Sequence, residues 1–310
     1  MSGYKYLFGP VPSRRLGASL GVSPIPERTC NYSCVYCQLG RTLRMTNTRQ
    51  EFFPLEEILA EFREYLQGSI PFDVVTVVGE GEPTLYSRLG ELIAGLKKET
   101  DKPVAVITNG ALLYDAEMRR ELMEADIVLP SLDAVTEEQY RKIDRPMGSI
   151  GFAEMAEGLR QFAREYQGQL WIEIMLVDGM NDSPEDIAAF KEFLGTIDYD
   201  RVYLNTPVRP PAEGFVHTSA PERIDLAARE LGGISIDQLT SGSFFSEVED
   251  PYEAILSIAR RHPMNQFEVE SFLEAREIPA DQRQALVERL GQDPGITVVP
   301  YKGIITYRVN

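Results

Sequence analysis

Apolar and polar positions along this chain alternate between two periods. From about residue 16 to 206, short apolar runs recur, and between them lie stretches whose apolar residues repeat every three to four positions. The runs 16–22, 73–78, 103–108, 126–130, 170–177 and 201–205 predict six strands buried on both faces. Leu55, Ile58, Leu59, Phe62 and Leu66 share one helical face, and the same period returns at 85–97, 113–123, 152–165 and 184–194. Strand and helix in alternation give βα units around a parallel sheet, either a partial or full barrel or an open doubly wound sheet. In both, ligands gather at the carboxyl ends of the strands.

The pattern breaks after Asn205. Thr206-Pro207-Val208-Arg209-Pro210-Pro211-Ala212-Glu213-Gly214 carries three prolines, which cannot serve a central strand, so a loop over the sheet is expected. A helix follows at about 220–231, and 234–249 reads as irregular. Helices at 251–261, 264–275 and 279–290 precede strands at 296–300 and 304–309, joined by Tyr301-Lys302-Gly303. Three helices and a terminal hairpin is the order of a winged-helix domain. A single core stops growing well short of 310 residues, so two domains are expected, 1–233 and 234–310.

Composition narrows the function. An apolar fraction of 43% with a formal charge of −17 excludes a disordered chain and a basic nucleic-acid coat protein. No run is long and apolar enough to span a bilayer and the start lacks a signal-peptide core, which leads to the expectation of a cytoplasmic protein. Residues 1–50 hold seven Lys/Arg against the single acid Glu27, a net of +6, while the remaining residues hold −23. Segment 234–310 carries seven Lys/Arg and twelve Asp/Glu. Duplex DNA binding needs cations to replace condensed counterions, so this acidic module is expected to meet a protein or cover the barrel instead.

The only cysteines, Cys30, Cys34 and Cys37, lie inside the basic segment with the spacing CxxxCxxC, directly after the first predicted strand. They cannot form a disulfide framework. Bunched thiolates favour an iron–sulfur cluster or zinc, and three ligands leave one iron of a cube open. Zinc needs a fourth ligand, and the only histidines, His217 and His262, are not at finger spacing; inert buried thiols are the bland alternative. Gly79-Glu80-Gly81-Glu82-Pro83-Thr84 follows the second strand and reads, by itself, as a turn closing a βα unit. Thr108-Asn109-Gly110, Ser131-Leu132-Asp133 and Asn181-Asp182 place polar groups at three further strand ends, where capping chemistry accounts for any one of them. Arg14, Arg15 and Arg41 are either paired and solvated, or hold carboxylate or phosphate groups of a substrate through the planar guanidinium.

The cysteine spacing, with Tyr36 just before the last thiol, resembles the signature of radical S-adenosylmethionine enzymes over about residues 10–210. The resemblance implies a partial (β/α)6 barrel with a small C-terminal winged-helix-like domain. It further implies that Cys30, Cys34 and Cys37 hold three irons of a [4Fe–4S] cluster, the fourth being chelated by S-adenosylmethionine. Gly79, Gly81, Glu82 and Pro83 are similar to the family's GGEP element, which receives the ligand's ammonium through backbone carbonyls and, by expectation, the Glu82 carboxylate. Tyr36, Asn109, Ser131 and Asp133 are then cofactor contacts, Ser131 or Asp133 at the ribose. Such an enzyme takes electrons from a reductant such as flavodoxin or ferredoxin.

Within the superfamily, Gly9-Pro10-Val11-Pro12-Ser13-Arg14-Arg15-Leu16-Gly17, Cys37-Gln38-Leu39-Gly40-Arg41 and Ser131-Leu132-Asp133-Ala134 resemble the wyosine-synthase-like group. True 4-demethylwyosine synthases act on N1-methylguanosine in tRNA with pyruvate and carry extra upstream cysteines, which this chain lacks. Fold and radical initiation are therefore carried over and the reaction is not, with tRNA kept as one candidate substrate. The alternative from another class is an iron–sulfur or zinc regulator whose winged helix reports on the metal. An electron-transfer protein is disfavoured because such clusters have all their irons ligated by protein.

Overall fold

The chain opens with an antiparallel hairpin, β1 (Leu7–Ser13) and β2 (Gly17–Val22). A long loop follows, gathered by two-residue strands β3 (Thr29–Cys30) and β4 (Arg44–Met45). Helix α1 (Leu55–Tyr65), β5 (Val74–Val77), α2 (Leu89–Glu99), β6 (Val104–Thr108), α3 (Ala116–Leu122) and β7 (Ile127–Pro130) come next. After them run α4 (Glu137–Ile143), α5 (Phe152–Glu165), β8 (Gln169–Met175), α6 (Pro184–Leu194), β9 (Arg201–Asn205), α7 (Pro221–Leu231) and β10 (Ile234–Ser235). The computed structural model describes residues 4–68, 70–148, 150–236, 244–246, 248–301 and 303–310.

The sheet order is β1-β2-β5-β6-β7-β8-β9-β10, parallel from β2 onward and curled into a half-barrel. Period-two alternation sorts its side chains. Val75, Val77, Val104, Val106, Val128, Leu170, Ile172, Ile174, Val202 and Leu204 face the helices. Val74, Ala105, Ile127, Leu129, Trp171 and Tyr203 fill the inside at the amino ends. Towards the carboxyl ends the inward positions turn polar, with Ser19, Thr76, Glu173 and Asn205 on the wall of a cavity. The barrel is thus an apolar plug below and a polar bowl above.

All six predicted parallel strands are present within a residue or two of their expected bounds. Strand β1 was not expected, because Pro10 and Pro12 hide it; at a sheet edge no donor is needed on its outer side, which is where proline is tolerated. Helix α4 was also missed. Beyond β10, part of the segment expected to be irregular, 237–243 and 247, lies outside the described residues, as does Lys302 in the final turn.

The C-terminal residues form α8 (Pro251–Ala259), β11 (Met264–Asn265), α9 (Gln266–Ala275), α10 (Ala280–Gln292), β12 (Ile296–Tyr301) and β13 (Ile304–Val309), with sheet order β11-β13-β12. Met264 and Asn265, expected to begin a helix, pair instead with Tyr307 and Thr306, and Asn265 then caps α9 through the Phe267 and Glu268 amides. Tyr252, Ile255, Ile258, Val269, Phe272, Leu273 and Tyr307 give this part its own apolar cluster, against which Val11 of β1 also packs.

Candidate active site

The bowl is a cavity of about 440 Å³ bounded by the cysteine loop, the carboxyl ends of the strands and the C-terminal module. The cysteine loop is pinned from several sides. Ser33 N donates to the Asp144 carbonyl (3.0 Å) and Val35 N to the Ile143 carbonyl (2.9 Å) at the end of α4. The Tyr32 and Tyr140 hydroxyls meet at 2.5 Å, and Thr42 Oγ1 donates to the Tyr32 carbonyl. Glu213 takes Arg41 Nε and Nη2 (2.9 and 2.8 Å) and Arg145 Nη1 (2.6 Å), which ties the loop to the segment after β9. The two arginines hold the Glu213 carboxyl down to about 2.

Cys30, Cys34 and Cys37 all face the cavity, and burial pushes each thiol up. Their surroundings differ. Cys30 Sγ receives Tyr32 N (3.4 Å) and Asn109 Nδ2 (3.7 Å), whereas Cys34 Sγ donates to Asp144 Oδ1 (3.9 Å). Burial raises the Asp144 and Asp133 carboxyls, and Asp133 adds like-charge repulsion at Asp144. Three soft sulfurs bordering one cavity suit an iron–sulfur cluster.

The Gly79–Thr84 turn carries the wall from β5. Gly79 and Gly81 border the cavity, and a Cβ at Gly81 would overlap the Thr29 carbonyl oxygen beside Cys30, so only glycine lets the turn and the cysteine loop meet. Glu82 is buried and does not border the cavity. It accepts from Thr84 N (3.0 Å), Thr84 Oγ1 (2.6 Å), Thr108 Oγ1 (2.6 Å) and Asn109 N (2.8 Å), joining the ends of β5 and β6. Burial still raises its carboxyl.

Of the other expected cofactor contacts, Tyr36 borders the cavity and donates its hydroxyl to Asp133, which also accepts from Met175 N (2.7 Å). Pro83, Asn109, Ser131 and Asp133 stand behind the wall. Asn109 braces the cysteine loop by donating to Asn31 Oδ1 (2.7 Å), and Ser131 continues the sheet as a bridge to Glu173. Arg14 and Arg15 border the cavity, Arg15 paired with Glu173 inside the bowl; Arg41 lies outside it, taken by Glu213.

Residues from the loop after β9 and the C-terminal module close the bowl, and these the sequence did not single out as a site. Arg209 forks onto Glu268 (3.0 and 2.9 Å) and donates to His262 Nε2 (2.6 Å). Burial and the charges of Arg209, Arg14 and Arg15 hold His262 well below its ordinary value, so it accepts as a neutral ring. Arg261 faces Glu80 at 3.4 Å, both nearly buried, and donates to the Lys5 carbonyl (2.8 Å). Five arginines (14, 15, 28, 209 and 261) and three glutamates (80, 173 and 268) border the cavity, a positive balance in a strongly acidic chain.

The profile of the Radical SAM superfamily matches residues 25–191. The chain is 32% identical to a UPF0026 protein of Methanocaldococcus jannaschii, over 98% of this chain and 95% of that protein. A protein named GTPase Obg from Brachyspira hyodysenteriae is 43% identical over 205 residues, 66% of this chain but only 30% of that protein's length. Among solved structures, a radical SAM methyltransferase from Sphaerobacter thermophilus shares the fold, with a TM-score of 0.52 at 18% identity over 71% of this chain and 67% of that one.

Proposed function

This chain belongs to the radical SAM superfamily, and from that premise we propose that Cys30, Cys34 and Cys37 hold a [4Fe–4S] cluster whose open iron takes S-adenosylmethionine. When bound, these groups supply a 5′-deoxyadenosyl radical, by one-electron cleavage of S-adenosylmethionine, that takes a hydrogen atom from the substrate. Membership in this class of enzymes sets aside the regulator with a winged-helix reporter. The observation that carries the reading is that three thiols and the Gly79–Gly81 turn at the strand ends border one cavity.

The chain's own residues provide anchorage, orientation and dryness. Glu82 has its four donors within the chain, so contact with the ligand ammonium runs through the backbone of residues 79–81, and Glu82 fixes that backbone. Asn109 and Tyr32 N–H orient the Cys30 sulfur. Phe244, His262 and Glu268 close the bowl, which shields a reactive radical from solvent.

That closure, a cavity of drug-molecule size and a surplus of arginine favour a small anionic substrate over tRNA. A flavodoxin- or ferredoxin-class donor supplies the electron. Anaerobic reconstitution tests the reading: about four irons per chain, release of 5′-deoxyadenosine, and loss of both in Cys30→Ala, Cys34→Ala and Cys37→Ala. One tightly held zinc and no 5′-deoxyadenosine would overturn it. For the substrate, Arg14→Ala should keep iron and slow uncoupled cleavage yet lose stimulation by the small anion that stimulates the wild type.

A further inference from the structure

The three sulfur positions sit in three different electrostatic settings. Cys30 receives two amide donors and Cys34 meets the Asp144 carboxyl group, whereas the turn that follows Cys37 is flanked by two guanidinium groups. The Gly40 amide donates to the Cys37 carbonyl (3.1 Å), closing a tight turn after the thiol, and beside that turn stand the guanidinium groups of Arg308 and Arg28. Arg28 sits just ahead of the cysteine loop, with a left-handed φ of 49°. Arg308 comes from β13 of the C-terminal module, 270 residues along the chain, and its Nη1 donates to the Gln38 carbonyl at 3.4 Å.

Both guanidinium groups reach Gly40, whose φ of 91° favours glycine: a Cβ there would be in ordinary contact with Arg308 Nη1 at 3.5 Å and Arg28 Nη1 at 3.7 Å. The two charges are poorly compensated where they stand. Among the described residues Arg28 pairs with Glu27, whose carboxylate lies 3.3 Å from the buried Arg28 Nε without accepting a hydrogen bond from it. Arg308 is half-buried and makes no ion pair with any described residue, and the two guanidinium groups repel each other. Like charges held together out of water are unfavourable unless an opposite charge belongs beside them.

We propose that Arg308 and Arg28 are positioning residues that clamp the Cys37 edge of the cluster and hold its reduction potential up, which makes the C-terminal module part of the redox site. The inference rests on the reading of Cys37 as a cluster ligand. Reduction adds one negative charge to a group already carrying three thiolates, so nearby cations favour the reduced form more than the oxidised one. Net charge and hydrogen bonds to the sulfurs are known levers on such potentials.

The test is a redox titration, followed by electron paramagnetic resonance, of the full-length protein reconstituted with iron and sulfide under anaerobic conditions. Arg308→Gln should move the midpoint to a more negative potential at unchanged iron content, and Arg28→Gln should move it the same way. Arg308→Lys, which keeps the charge, should stay closer to wild type. Tyr301→Phe removes a hydrogen bond across the same seam, from the Tyr301 hydroxyl to the Pro207 carbonyl (2.9 Å), and should leave the midpoint in place. A fully loaded Arg308→Gln protein with the wild-type potential would overturn the proposal. So would a Lys variant as negative as the Gln variant, or a Tyr301→Phe shift of equal size. If Arg308→Gln fails to load, an unshifted Arg28→Gln overturns it. A wild-type protein that binds no cluster means that the Cys37 assignment itself fails.

Discussion

Gly79 and Gly81 lie two positions apart in one turn, yet space constrains them differently. At Gly81 any Cβ meets the Thr29 carbonyl, and that oxygen cannot retreat because it also accepts from Glu82 N at 3.1 Å. Gly81→Ala should therefore cost about 3 kcal/mol in urea unfolding and displace the cysteine loop. At Gly79 the nearest atoms would be 3.4 Å away, so Gly79→Ala should stay within about 1 kcal/mol of wild type while its methyl group weakens S-adenosylmethionine binding from the cavity side. Equal losses of stability at the two positions would refute this distinction. Asp133 gives a pH dependence. Burial raises its carboxyl in the folded state, so below the ordinary carboxylate value near 4 it has no effect, and as pH climbs above that value the unfolded chain ionises first. Stability of the metal-free protein should fall across that interval, and Asp133→Asn should flatten the fall in urea midpoints measured from pH 4 to 8.

At the scale of elements, the turn after β8 shows how one side chain holds a strand end. Asn181 is fully buried, accepts from Val177 N (2.7 Å) and donates to the carbonyls of Asp133 and Met175 (both 2.8 Å). Asn181→Ala strands three backbone groups at about 1 kcal/mol each or more, so a melting temperature lower by roughly 6 °C is expected. Asn181 and Asp182 were visible in the sequence as polar residues at a strand end, but not that one of them spans two strands. The parallel strands were legible because both of their faces are buried and their apolar runs are continuous, as in Val74–Val77. Strand β1 was not, since its prolines carry the opposite local signal, and β11 was not, since two residues have no period. Cys30, Cys34 and Cys37, which the fold brings to one cavity, stood out in the sequence by their spacing. Arg209, Arg261, His262 and Arg308 left no local signal, because each acquires its role from a partner distant in sequence, as Arg261 does from Glu80.

For the molecule as a whole, we propose that the half-barrel through β10 and the part from α8 onward are two units whose seam seals the bowl. This division falls later than the expected 233/234 because Ile234 and Ser235 pair with β9. The Glu80–Arg261 pair is the part of that seam nearest the Gly79–Gly81 turn. A nearly buried pair adds little when intact, but removing one partner leaves a charge out of water, at about 3–5 kcal/mol. Burial already raises the Glu80 carboxyl, with Arg261 the main influence pulling it down. Arg261→Met should thus destabilise the protein more at pH 8, where an unpaired Glu80 must ionise or shift, than at pH 5. Glu80→Gln with Arg261→Met removes both charges and should recover much of the loss. If the seam also excludes oxygen and water from the bowl, the cluster of reconstituted Arg261→Met should bleach in air several-fold faster than wild type, with the double variant in between. Bleaching at the wild-type rate in a protein destabilised as expected would mean that the module is held here for stability alone, and that the cysteine loop and Arg209–Glu268 suffice to keep the bowl closed.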